Sequence, residues 1–190
     1  MKKLLVLSTA LTAVSFAAQA DVTVLSWGGA YTKSQVEAYH KPFTAATGIN
    51  VISVDGDNPA PMVKTQVEAG NVSVDVADVE YAEAIRLCDE GMLEEISMDA
   101  LPAGADGTAA ADDFLPGAVT DCAVSTIVFS TVYGYDTTKF PEGPTTMADF
   151  FDTTKFPGKR GMRKGAKANL EMALMADGVP AADVYATLGT

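Results

Sequence analysis

Apolar positions in this chain change their spacing several times, and each change predicts an element. A predominantly apolar run from Leu4 to Ala18 follows Lys2-Lys3 and closes on Ala18-Gln19-Ala20. Charged, apolar and small-residue regions in that order predict a leader peptide over residues 1–20, cleaved after Ala20. The run is fifteen residues long, whereas spanning a bilayer takes roughly twenty. Behind it, Val22-Thr23-Val24-Leu25-Ser26-Trp27 reads as a strand that runs into a loop, Gly28-Gly29-Ala30-Tyr31.

From Thr32 to Ala46 the spacing becomes helical, with Val36, Tyr39, Phe43 and Ala46 on one face and Gly48 as the stop. Pro42 interrupts that face and predicts a kink or a late break. Asn50 to Asp55 is a second strand, Asn58-Pro59-Ala60-Pro61 a turn, and Met62 to Ala69 a short helix closed by Gly70. Val74 to Val79 is a third strand, followed by a helix from Ala82 to Glu90 closed by Gly91. Strands alternating with helices, on connections long enough for crossovers, predict an α/β fold built on a parallel sheet.

The rhythm then breaks. Residues 99–118 are rich in Ala, Gly and Asp and read as a surface excursion with one helical turn near Phe114. Asp121 to Tyr135 is the most strand-like stretch of the chain, too long for one ordinary strand. It predicts two strands, or one long strand passing between two lobes. Asp136-Thr137-Thr138-Lys139-Phe140-Pro141 returns as Asp152-Thr153-Thr154-Lys155-Phe156-Pro157, each copy predicting a turn that its proline ends. Between the copies, Thr146 is a candidate cap for a helix from Met147 to Phe151. A basic cluster (Lys159, Arg160, Arg163, Lys164, Lys167) precedes a helix from Asn169 to Ala176, and Ala181 to Leu188 is helical again. With no final packing element after it, the chain reads as cut.

Composition narrows the function. The net charge is −12, and removing the leader takes away two lysines and no acid. That acidic balance argues against nucleic acid, whose binding needs clustered Lys and Arg to neutralise phosphates. Cys88 and Cys122 are the only cysteines. In an oxidising compartment such a pair forms a disulfide, the alternative being two buried thiols.

Enzyme signatures are missing: there is no GxSxG, P-loop, GxGxxG or HExxH motif, and His40 is the only histidine. A surface histidine on an amphipathic helix fits His40 better than a catalytic one. One histidine and two paired cysteines leave no zinc site, and no cofactor is called for. The binding case rests on strand ends, where open α/β sheets collect ligands. After the first strand, Gly28 and Gly29 let backbone N–H groups approach a ligand, and Trp27 and Tyr31 offer flat faces with polar tips. Such faces attract alkyl-ammonium groups. Trp27 has a second possible role, plugging the core at the strand end. After the third strand, Asp78 or Glu80 can pair with an ammonium beside Tyr81, or Glu80 can simply favour the N-terminus of the next helix. Arg163 belongs to a solvated basic face or meets a ligand carboxylate.

The sequence resembles the periplasmic solute-binding proteins of ABC importers, particularly the spermidine/putrescine-binding group. The resemblance is carried by the leader, Trp27-Gly28-Gly29-Ala30-Tyr31, Phe43-Thr44-Ala45-Ala46-Thr47-Gly48-Ile49 and Val74-Asp75-Val76-Ala77-Asp78. It continues through Cys122 to Asp136, Lys155-Phe156-Pro157-Gly158-Lys159-Arg160-Gly161, Asn169-Leu170-Glu171 and Ala173 to Val179. It implies a two-lobe periplasmic-binding-protein architecture. Residues 21–125 would form most of lobe one, a parallel or mixed sheet with flanking helices, 126–136 a crossover, and 137–190 the start of an incomplete lobe two. It also implies a monomeric periplasmic receptor, not an enzyme, that binds a polyamine or related amino compound between its lobes. The receptor would deliver that solute to a permease in the inner membrane. By the same resemblance Trp27 and Tyr31 match first-loop contacts, Glu80 a second-loop contact, and Asn169 or Glu171 a lobe-two contact. The alternatives are a receptor of the same fold for iron(III) or an amino acid, and an exported hydrolase whose catalytic residues lie further along the chain.

Overall fold

In the computed structural model the protein is described over residues 20–189, and the apolar leader run lies outside them. The described chain forms two compact units, one ending at Thr126 and the other beginning at Ile127.

In the first unit, strands β1 (Val22–Ser26), β2 (Val51–Asp55) and β3 (Val76–Ala77) form one parallel sheet in the order β2-β1-β3. Val22 pairs with Val51 and Ser26 with Asp55, while on the other side Leu25 pairs with Ala77. Parallel neighbours need long crossovers. The first runs through α1 (Gly29–Gln35), a π-helical turn (Val36–His40) and α2 (Lys41–Thr47), and the second through α3 (Pro59–Glu68). Helix α4 (Tyr81–Asp89) follows β3.

Pro42 does not break the first crossover helix. The Lys41 N–H reaches back five residues to the Val36 carbonyl. That wider turn sits just upstream of the proline, whose ring and missing N–H a regular helix interior would not accept. Helix α3 starts earlier than expected because Pro59 and Pro61 fill its first turn, where no intrahelical N–H bond is lost. Strand β3 is shorter than the expected Val74–Val79. Asp75 explains its late start: its carboxylate takes the Thr23 N–H at 2.8 Å, in place of a backbone ladder partner.

The core lies between sheet and helices, with Leu25, Ala60, Val63 and Leu87 buried at its centre and Val54, Met62, Val67 and Val79 around them. Cys88 and Cys122 are bridged, with Cα atoms 5.8 Å apart, which ties the end of α4 to the segment after α5 (Ala110–Asp113).

The stretch Asp121–Tyr135 does not form the expected strands. Its one ladder contact is an isolated antiparallel bridge, Val119 to Val124, and residues 127–136 have no regular structure. Val128 and Val132 are 83% and 79% exposed. β-branched side chains favour a pleated surface but do not supply the neighbouring strand whose backbone completes it.

The second unit contains α6 (Met147–Phe151), α7 (Asn169–Ala176) and α8 (Val184–Leu188). Thr146 caps α6 as expected, in a reciprocal box with Asp149. Asp149 also binds the Lys155 ammonium at 2.8 Å, and that contact, with the N–H groups of Thr145 and Thr146, holds its carboxyl well below the usual carboxylate range. The two repeat copies form matching turns: Asp136 accepts the Thr138 N–H, and Asp152 the Thr154 N–H, each at 2.9 Å. Their phenylalanines, Phe140 and Phe156, meet edge to face at 5.6 Å.

Candidate ligand site

The three parallel strands end at one edge of the sheet, and the chain leaving them is held there by backbone bonds. The Leu25 carbonyl accepts the Asp78 N–H and the Ser26 carbonyl accepts the Gly56 N–H, both at 2.8 Å. This edge therefore collects Trp27, Asp55 and Asp78. The expected Gly28–Tyr31 loop is shorter than predicted. Helix α1 begins at Gly29, so Tyr31 stands on its first turn. Gly28 has φ 82°, and a Cβ there would lie 3.2 Å from an Asp55 carboxylate oxygen. Both facts favour glycine, which brings α1 directly onto the strand end. The Thr32 hydroxyl accepts the Gly28 N–H at 2.8 Å and secures the turn.

Beneath this edge lies a polar triangle. The Ser26 hydroxyl is 2.7 Å from Gln35 Oε1 and 3.0 Å from Asp78 Oδ2, and Gln35 Nε2 donates to the same Oδ2 at 2.8 Å. Serine has one proton to give, so its two acceptors share it. Ser26 is 1% and Gln35 6% exposed. Asp78 is half-buried and lies toward the surface of the triangle.

Tyr31 stands beside it. Its hydroxyl is buried and makes no hydrogen bond of ordinary geometry among the described residues. Burial, then the neighbouring Asp78 carboxylate, pushes its pKa up to about 12. The phenol therefore keeps its proton at any physiological pH, ready to donate. Trp27 is half-buried. Glu80 immediately precedes α4 and is half-buried, and its side chain does not cap that helix. Tyr81 is 57% exposed. His40 lies on the crossover helix with Nδ1 2.9 Å from the Ser53 hydroxyl, an exposed contact.

The remaining sequence candidates fall in the second unit. Asn169 opens α7, and its side-chain amide donates to the carbonyls of Arg163 and Gly165 at 2.6 and 2.7 Å, closing the loop between them. Glu171 is in the first turn of α7 and half-buried, while Arg163 is exposed. Arg160, from the same basic cluster, is a structural clip. Its guanidinium donates to the carbonyls of Phe150, Asp152, Phe156 and Gly158.

Trp27, Gly28, Gly29, Tyr31 and Asp78 are thus gathered at one edge with Glu80 following, and Arg163, Asn169 and Glu171 are grouped separately. Ser26, Thr32, Gln35 and Asp55 escaped sequence reasoning. The available signal was a polar residue closing an apolar strand, with Thr32 four residues after Gly28 and Gln35 four after Tyr31 on one helical face.

The strand ends thus present an acidic, aromatic edge on a parallel α/β sheet. Comparison with known proteins identifies the family. The family described as bacterial extracellular solute-binding protein matches residues 38–189. A γ-aminobutyric acid-binding protein of Pseudomonas aeruginosa is 43% identical over 181 residues, covering 95% of this chain and 49% of that protein. The crystal structure of the periplasmic binding protein MotA of A. tumefaciens B6, in complex with glucopine, superposes with a TM-score of 0.81 at 32% identity, over 90% of this chain and 50% of that one. An ABC transporter substrate-binding protein of Bradyrhizobium japonicum USDA 110 gives 0.74 at 33% identity, over 85% and 48%. The chain belongs to the bacterial extracellular solute-binding protein family. It spans about half the length of the relatives it matches.

Proposed function

We propose that this chain is the ligand-receiving part of a periplasmic receptor for an ABC import system. Its solute is a small amine, bound unchanged and passed to a permease in the inner membrane. The observation that carries this reading is Asp78, fixed at the strand ends beside Tyr31 with Trp27 on the same edge. An ammonium entering such an edge loses water. A charge-assisted hydrogen bond to the carboxylate offsets that loss by about 1.5–3 kcal/mol, and an aromatic face contributes about 2 kcal/mol once desolvated.

Within the amines, the kinship to a γ-aminobutyric acid-binding protein favours an amino acid with a terminal ammonium. A diamine is the second reading: the strand ends carry Asp55 as well as Asp78, a second carboxylate for a second ammonium.

A thermal-shift series with γ-aminobutyrate, putrescine, spermidine, α-amino acids, sugars and ferric iron tests the reading, because a true ligand raises the melting temperature with its concentration. The expected result is a shift with γ-aminobutyrate. A shift with putrescine and none with γ-aminobutyrate selects the diamine. A shift with sugars or ferric iron alone overturns the proposal, and turnover of the bound compound would identify an enzyme instead.

A further inference from the structure

We infer that Ser26 and Gln35 are positioning residues for ligand binding. They hold Asp78 by one carboxylate oxygen and leave the other for the ligand's ammonium, without touching the ligand themselves. The inference rests on the reading of Asp78 as the ammonium's counter-charge.

Three polar residues are buried among the described ones, Ser26, Thr32 and Gln35, and they come from only two elements, β1 and α1. Thr32 secures the Gly28 turn. The other two converge on a single atom, Asp78 Oδ2, at 3.0 and 2.8 Å. Burying polar groups is unfavourable unless they are bonded, and packing alone would be served by apolar side chains at both positions. What the polar pair provides is a fixed rotamer for Asp78. Its carboxylate cannot swing toward solvent without leaving the buried Gln35 amide short of an acceptor and taking away one of the two acceptors of the Ser26 hydroxyl. Oδ1 takes no part in the triangle, and the buried Tyr31 hydroxyl lies beside the same carboxylate. A carboxylate preset in one orientation binds a cation without first losing rotamer freedom.

A double-mutant cycle tests this. Affinity for γ-aminobutyrate and for putrescine is read from the emission of Trp27, the only tryptophan in the chain. The proteins compared are the unaltered one, Gln35→Met, Asp78→Asn and the double variant, with Ser26→Ala as an independent, smaller perturbation. Melting curves identify which variants are folded. Loss of one charge-assisted hydrogen bond predicts that Gln35→Met weakens binding about tenfold. In the Asp78→Asn background the same change should have almost no further effect, since residues acting through a shared partner are not additive. Equal penalties in both backgrounds would mean that Gln35 supports the fold and not Asp78, and would overturn the inference. So would unchanged affinity in folded Gln35→Met and Ser26→Ala proteins when Asp78→Asn alone weakens binding. Unchanged affinity in Asp78→Asn, or binding of neither amine, overturns both this inference and the ammonium reading beneath it.

Discussion

Replacing Tyr31 by phenylalanine removes one oxygen atom, and the structure predicts opposite consequences for stability and binding. That oxygen is buried and makes no hydrogen bond of ordinary geometry among the described residues, with the Asp78 carboxylate and the Thr126 hydroxyl as its polar neighbours. An unsatisfied buried polar group costs about 1–3 kcal/mol. The neighbouring Asp78 carboxylate recovers part of that cost, so the lower end applies: Tyr31→Phe stabilises the free protein by about 1 kcal/mol. If the hydroxyl is kept unpaired for the ligand, the same variant binds γ-aminobutyrate about tenfold more weakly, the usual exchange between stability and function at a binding site. Urea unfolding at neutral pH reads the first effect as a higher midpoint at unchanged slope, and calorimetric titration reads the second. The alkaline limb adds a third signature. Tyr31 titrates at about 12 in the folded protein against 10.0 ordinarily. Between those values the folded state holds a proton that the unfolded chain has released, so stability falls as pH rises through that window. Tyr31→Phe flattens that fall. A lower unfolding midpoint with an unchanged alkaline limb would refute the reasoning, because it would mean the hydroxyl is already satisfied in the free protein.

Trp27→Ala should weaken amine binding while the melting transition survives; unchanged affinity in the folded variant would make Trp27 a core plug. Arg160→Met strips donors from four carbonyls of the second unit, and hydrogen exchange across residues 150–158 should show a loss of about 2–4 kcal/mol; unaltered protection would contradict the clip. Reducing the Cys88–Cys122 bridge, which spans 34 residues, should destabilise by roughly 3–4 kcal/mol on the chain-entropy account, read as a lower urea midpoint in Cys88→Ser/Cys122→Ser. An unshifted midpoint would mean the bridge constrains little.

Much of the fold was legible because local chemistry and tertiary structure agreed. Thr146 and Asp149 spell out a capping box, and α6 lies where they place it. Asn169–Ala176 has the predicted bounds, and β1 and β2 read clearly from their apolar patterns. Where the reading failed, a distant group decided. Asp75 bonds across to Thr23, far away in sequence, and shortens β3. Residues 127–135 have strand chemistry but no partner strand in the sheet β2-β1-β3. The Gly28-Gly29 pair looked like an open loop, whereas positive φ at both glycines launches α1 at once. The site was legible in part for the same reason. Trp27, Tyr31 and Asp78 follow from the rule of strand ends, but the buried support from Ser26 and Gln35 exists only once α1 is laid against β1.

The central claim is that the strand-end carboxylate and aromatics receive an ammonium group. The emission of Trp27 during titration with γ-aminobutyrate, set against butyrate at the same concentrations, tests it most directly. The two compounds share a chain and a carboxylate and differ in the terminal amine. The account predicts a saturable change with γ-aminobutyrate, strongly weakened in Asp78→Asn, and none with butyrate. Equal responses to both compounds, or a response that Asp78→Asn leaves intact, would contradict it.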